Sequence, residues 1–238
     1  MKKLGMLIAL FAGIIITLSF EQNNDPAPVA IIELFTSQGC SSCPSADKLL
    51  SELSEKENVL ALSFHVSYWN YLGWKDPYSS EQFTERQRTY AKKLHLNSIY
   101  TPQMIVNGTD EFVGSSRVKA EVAIKQATST QEVQLQMTSN KENAIVVNYK
   151  LTGSTENEWF NIALVEKHVK NEVPRGENQG KVLEHDNVVR VFKILEAKKS
   201  GSITITLPEK SNMQNAMVIA YIQRQNTFEI TGADKLPL

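Results

Sequence analysis

Cys40 and Cys43 are the only thiols in a chain of 238 residues, and they stand as Cys40-Ser41-Ser42-Cys43-Pro44 between an apolar run and a helical one. That placement points to thiol–disulfide chemistry. A strand that delivers a C-x-x-C into the first turn of a helix sets the first sulfur where unpaired backbone N–H groups and the positive end of the helix dipole favour a thiolate. A thiolate is the attacking species in disulfide exchange, and Cys43, one turn further along, is spaced to resolve a mixed disulfide formed on Cys40. Two other uses of such a pair exist. As a structural bridge it would close a very small loop, the kind that stabilises least in the chain-entropy picture. As half of a zinc site it lacks a second C-x-x-C or a pair of histidines.

The elements needed to hold the pair are legible on either side of it. Val29 to Phe35 is apolar and β-branched and reads as a strand. Pro44 to Lys56 reads as a helix, with Leu49, Leu50 and Leu53 at helical spacing. Val59 to Val66 is a second strand, and Ser80 to Leu94 a polar helix. Gln103 to Val106 is a third strand, turned by Asn107-Gly108 into Glu111 to Val113, with a helix from Ser115 to Ala127 closing the series. The order β-α-β-α-β-β-α is a thioredoxin-like arrangement. Beyond Glu132 the pattern changes to short strand-like runs: Val133 to Met137, Ala144 to Leu151, Phe160 to Lys167, Asn187 to Glu196, Ser202 to Leu207 and Met217 to Gln223. Polar turns such as Thr152-Gly153-Ser154 divide them, which predicts an antiparallel sandwich of six or seven strands. The expected fold class is therefore an α/β thioredoxin-like domain over residues 25–129, with an aromatic insertion, followed by an all-β sandwich over 130–238.

Residues 1–24 are set apart from the fold. Lys2 and Lys3 precede an uninterrupted apolar stretch, Leu4 to Leu18, in the pattern of a secretory signal, followed by a short linker. The stretch is short for a bilayer span, which needs about 20 residues, and an uncleaved copy would serve as an N-terminal anchor. Either fate places the remainder outside the cytoplasm, where disulfides persist. A net charge of −1 supplies no basic surface for nucleic acid, so none is expected as a partner. Neither a cofactor nor a resident metal is expected. The anticipated partners are protein or small-molecule thiols, and oligomeric state is not encoded in any recognisable pattern.

Three segments carry a resemblance to a known family: Val29 through Pro44, His65-Val66-Ser67-Tyr68-Trp69-Asn70-Tyr71-Leu72-Gly73-Trp74-Lys75-Asp76-Pro77, and Tyr100-Thr101-Pro102-Gln103-Met104-Ile105-Val106-Asn107-Gly108. Together with Arg175-Gly176-Glu177-Asn178 and His185-Asp186-Asn187-Val188-Val189-Arg190, they resemble DUF1223, a family of secreted thioredoxin-like proteins of unknown function. The resemblance implies that Cys40 attacks, that Cys43 resolves, and that Pro102 follows a cis peptide bond and faces the pair. The backbone of Thr101 would then offer hydrogen bonds to an extended substrate.

Other residues admit two readings each. Glu33 is a carboxylate inside an apolar strand, either a buried acid that relays a proton to the resolving sulfur or a group that pairs with a lysine or faces solvent at an edge. Trp69 and Trp74, with Tyr68, Tyr71 and Tyr78, either form a substrate-holding lip beside the cysteines or pack between the two halves of the chain. His65, at a strand end, reads as a satisfied structural histidine or as a group near the thiols. Arg175, Glu177, Asn178, Glu184, His185 and Arg190 form a polar cluster, read as solvated or structural charge, as a binding site, or as cross-domain hydrogen bonds that fix the cysteine face. The leading functional expectation is an exported thiol–disulfide oxidoreductase. The alternatives are a non-catalytic binding or assembly module that keeps the cysteines as a bridge, and a copper-handling protein.

Overall fold

The computed structural model describes residues 27–238 apart from 142 and 210–212, so the signal or anchor segment lies outside the described residues. The first half follows the expected succession of elements. Strand β1 (Ala30–Thr36) leads through the cysteine loop to helix α1 (Pro44–Ser54), strand β2 (Val59–His65), helix α2 (Glu81–Lys93), the pair β3 (Gln103–Val106) and β4 (Asp110–Val113), and helix α3 (Arg117–Lys125). Every residue of β1 and β2 is buried, as unbroken apolar strands covered on both faces must be. Helix α1 starts on Pro44, where the missing N–H costs nothing, and α2 is capped by Ser80, whose side chain accepts from Gln82 N–H.

The second half overturns the expected fold class. Strands β5 (Val133–Lys141), β6 (Ala144–Leu151), β7 (Glu158–Glu172), β8 (Val182–Glu196), β9 (Ser200–Thr206), β10 (Ala216–Arg224) and β11 (Ile230–Pro237) do not build a separate sandwich. Four of them extend the first sheet, giving one mixed eight-stranded sheet in the order β11-β10-β7-β8-β2-β1-β3-β4. With 45% of the described residues in strand and 19% in helix, the protein is mostly β and is not an α/β thioredoxin-like fold followed by an all-β one. The physical reason lies at the outer edge of β2. Its backbone groups would be unpaired if the first half stood alone, and β8 runs parallel beside it, joined at Ser63 and Val188. Hydrophobic periodicity reports which face of a strand is buried but not which edge finds a partner.

Three apolar clusters fill the spaces between layers. One lies between the sheet and helices α1 and α3, around Ile32, Leu34, Leu50, Leu53 and Met104. A second, on the α2 side, joins Ile31, Phe35 and Phe64 to Phe83, Tyr90, Val165 and Tyr221 from both halves. The third packs the small sheet β5-β6-β9 onto β7 and β10, with Tyr149 stacked on Phe160 at 4.2 Å between ring centres. Strand β1 therefore sends Ala30, Ile32, Leu34 and Thr36 toward α1, and Ile31, Glu33 and Phe35 toward α2.

The Asn107-Gly108 turn adds a second seam. Both residues have positive φ, 50° and 79°, and the turn docks against the loop that leads into β11, with Ile230 N–H donating to the Asn107 carbonyl at 3.1 Å. A Cβ on Gly108 would lie 1.8 Å from the Phe228 carbonyl oxygen. Gly108→Ala should therefore cost about 2–4 kcal/mol, combining the left-handed penalty with overpacking. The midpoint of urea unfolding checks this, and an unchanged midpoint would show that the seam gives way freely.

Candidate functional site

The site is assembled where the C-terminal ends of β1 and β2 meet the start of α1. Cys40 and Cys43 are joined as a disulfide, and Cys43 is the N-cap residue of α1, with its carbonyl accepting from Ala46 and Asp47 N–H at 2.9 and 3.0 Å. Cys40 Sγ lies 3.4 Å from Ser42 Oγ and 3.8 Å from the Thr101 carbonyl oxygen. The Thr101–Pro102 peptide is cis. The structure thus brings Cys40, Cys43, Thr101 and Pro102 together. Trp69 joins them: its indole Nε1–H donates to Thr101 Oγ1 at 2.8 Å, and its Cβ sets the limit on space at Gly39. Tyr71 stacks on Trp69 and is 77% exposed, so one aromatic edge beside the disulfide faces solvent. Trp74 is half-buried further along the same loop.

Glu33 is not brought to the pair. It is buried on the α2 side of β1, opposite α1, and accepts from Arg86 Nε and Nη2 at 2.5 and 2.7 Å, from Tyr90 Oη at 2.7 Å and from Tyr221 Oη at 3.0 Å. Its partner is an arginine rather than a lysine, and it does not face solvent.

The disulfide itself is covered, with Cys40 1% and Cys43 0% exposed. The tip of the long β7–β8 hairpin, residues 173–181, is bonded to the backbone of the cysteine loop. Asn178, itself buried, donates from Nδ2 to the carbonyls of Gln38 at 3.0 Å and Cys40 at 2.8 Å. Asn171 Nδ2 donates to Gln38 Oε1, and Ser41 N–H donates to the Glu177 carboxylate at 2.9 Å. The hydrogen bonds from Ser41 hold the exposed Glu177 carboxyl below its ordinary range. Glu177 thereby occupies the Ser41 N–H of the cysteine loop, next to Cys40. Of the readings of the polar cluster, hydrogen bonding from the second half of the chain to the cysteine loop is the one seen for Asn178 and Glu177.

Behind the disulfide, on the α1 side of the sheet, lies a buried polar group. His65 Nδ1 and Asp76 Oδ2 are 2.7 Å apart, and Asp76 also accepts from Gln38 N–H at 2.9 Å. Burial pushes the Asp76 carboxyl up, but the His65 imidazole and the N–H groups of Gln38 and Tyr78 outweigh it and hold the carboxyl below its ordinary value. The His65 ring meets that of His185 edge-on at 4.7 Å, and His185 Nδ1 lies 3.5 Å from Asp47 Oδ2. Sequence reading missed Asp47 entirely. Its only signal is a carboxylate one turn after Cys43, on a helix face otherwise made of leucines. Among the described residues, no three His, Cys, Asp or Glu side chains converge as a metal site.

These features define a mixed-sheet protein with a covered C-x-x-C disulfide at a helix start, flanked by a cis-proline loop. The chain belongs to the family described as "Protein of unknown function (DUF1223)", which matches residues 31–223. Among solved structures it is similar to protein AGR_C_4864 from Agrobacterium tumefaciens, at 28% identity and a TM-score of 0.64, over 89% of this chain and 95% of that one. A domain of the outer membrane lipoprotein Omp28 from Porphyromonas gingivalis matches 45% of this chain and 94% of its own at 17% identity, with a TM-score of 0.30. No curated protein matches.

Proposed function

We propose that this protein is an exported thiol–disulfide exchange protein that acts through Cys40, with Cys43 as the resolving sulfur and the 173–181 loop as a removable cover. The observation that carries this reading is the pair's position at the start of α1, with Cys40 Sγ against the Thr101 carbonyl. A sulfur released there by reduction is favoured as thiolate by the helix dipole and free N–H groups. A partner's extended segment would lie along Thr101, gripped by Trp69, Trp74 and the exposed ring of Tyr71. The partners are protein or small-molecule thiols and disulfides. Export follows from the charged, then apolar, N-terminal residues Lys2 to Leu18.

The burial of both sulfurs favours a second reading, a binding module in which the bridge is permanent. Replacing Cys43 with Ser separates the two. In the first reading the Cys43→Ser protein accumulates a mixed disulfide when mixed with oxidised glutathione, and alkylation of Cys40 titrates well below the free-thiol value of about 8.5. Absence of an adduct together with an ordinary titration would establish the module.

A further inference from the structure

Reduction of the disulfide leaves Cys43 as a thiol buried beneath the cysteine loop, and a thiol must lose its proton before it can attack. We propose that Asp47, 3.5 Å from His185, is the base that takes this proton, and that the proton leaves through a cavity between α1 and the β7–β8 hairpin. This rests on the exchange reading given above.

Four observations support it. First, Asp47 follows Cys43 by four residues on α1, the spacing that stacks side chains on one helix face with Cβ atoms about 5–6 Å apart, within reach through one water. Second, Asp47 and His185 are 3% and 1% exposed, and apart from the 3.5 Å approach of His185 Nδ1 to Asp47 Oδ2, neither carboxylate oxygen of Asp47 nor either ring nitrogen of His185 has a hydrogen-bond partner among the described residues. Buried polar atoms are left so only where something else compensates, and a proton-accepting role is such a reason. Third, Thr36, Ser63 and His65, which alternate onto the same face of β1 and β2 as the α1 contacts, also carry buried atoms without partners, so a polar chamber rather than a single stray group lies under the start of α1. Fourth, Pro44, Asp47 and His185 line a cavity of about 420 Å³ that opens between α1 and the β7–β8 hairpin. This cavity gives Asp47 a route to solvent between α1 and β8.

Several charged groups surround this pair. Lys48 and Glu52 face the cavity from α1, His168 from β7, and Glu184 and Asp186 from β8. His65 and Asp76 stand behind His185. Burial lowers the His185 imidazole, but the carboxylates of Asp47, Asp76 and Asp186 outweigh it and leave it above its ordinary value. In the step proposed, a partner disulfide R–S–S–R has already exchanged with Cys40, giving Cys40–S–S–R and one R–S⁻. Asp47 accepts the Cys43 proton, and the Cys43 thiolate attacks Cys40 Sγ. The Cys40–R bond breaks, R leaves as a second thiolate, and the proton passes by His185 and the cavity to solvent. The two cysteines are oxidised and the partner disulfide is reduced to two thiols.

An aromatic disulfide whose thiolate is coloured resolves the two steps in stopped flow with the reduced, full mature protein. The first release reports attack by Cys40, and the second reports closure by Cys43. With Asp47 as base, the second rate in the wild type is nearly flat between about pH 6 and 8. In Asp47→Asn it climbs about tenfold per unit toward the thiol's own value of about 8.5, leaving a deficit of about three-hundredfold at pH 6 that vanishes above about pH 9. His185→Gln moves the profile in the same direction. Profiles that stay parallel to wild type would overturn the inference while an intact first release leaves the exchange reading standing; loss of the first release in wild type would sink that reading instead. If Asp47→Asn does not fold, a wild-type second rate that itself climbs tenfold per unit from pH 6 overturns the inference.

Discussion

Replacing Arg86 with leucine will lower the free energy of unfolding by about 3–5 kcal/mol, the range for removing one partner of a buried ion pair. Arg86 donates two hydrogen bonds to Glu33 and a third, at 2.8 Å, to Tyr221 Oη, and its guanidinium lies 4.6 Å from the centre of the Phe192 ring. It therefore ties α2 to β1, β8 and β10, drawing on both halves of the chain. Leucine would leave the Glu33 carboxylate buried with only the Tyr90 and Tyr221 hydroxyls to solvate it. Replacing Glu33 and Arg86 together by apolar residues removes both charges, and the double variant should regain roughly half of the loss or more. Equilibrium urea unfolding of the two singles and the double decides the matter. A loss below about 1 kcal/mol for Arg86→Leu would show that water reaches the pair. Because Glu33 lies on the face away from α1, closure of the Cys40–Cys43 bridge in the folded fraction should proceed at its wild-type rate in Glu33→Gln.

Asn178→Ala will speed reduction of the disulfide by about tenfold to a hundredfold. The Asn178 amide donates two hydrogen bonds to backbone carbonyls of the cysteine loop, and each neutral bond contributes about 0.5–1.5 kcal/mol. Losing both shifts the equilibrium between covered and open loop by about 1–3 kcal/mol, and each 1.4 kcal/mol is a factor of ten. A water-soluble phosphine is the suitable reductant, since its attack needs no thiolate. The same assay tests Glu177. Its carboxyl is held below the ordinary value, so its tether to Ser41 N–H contributes above the unfolded carboxylate value of about 4.3 and is lost as pH falls through the lowered folded one. Reduction should accelerate in that acid window, and Glu177→Gln should flatten the rise. Equal rates for Asn178→Ala and wild type would mean that the sulfurs are reached without moving the 173–181 loop, and would remove the idea of a cover.

Much of the local structure follows from short-range chemistry and was legible as such. Unbroken apolar runs in β1 and β2, the proline and leucine spacing of α1, the Ser80 cap of α2 and the Asn107-Gly108 turn each depend on residues within a few positions of one another. Strand β11 escaped notice because Thr231-Gly232-Ala233-Asp234 breaks both alternation and apolarity, and the strand is specified by pairing with β10 instead. The hairpin of β7 and β8 was visible only in its apolar middle. Its polar ends, with Asn178 at the tip and His185 just inside, look like solvated charge until the cysteine loop is placed beneath them.

By itself the sequence determined that Cys40 and Cys43 share the start of a helix, because a strand, a C-x-x-C and an amphipathic helix adjoin in the chain and the geometry is local. Only the tertiary structure decided what surrounds them. Pairing of β8 with β2 merges the halves into one sheet, seats Glu33 against Arg86 on the face away from α1, and brings Asp47 and His185, 138 positions apart, to 3.5 Å. Those outcomes depend on which strand edges meet. Edge pairing is set by backbone hydrogen bonds common to every residue, so no pattern of side chains announces it.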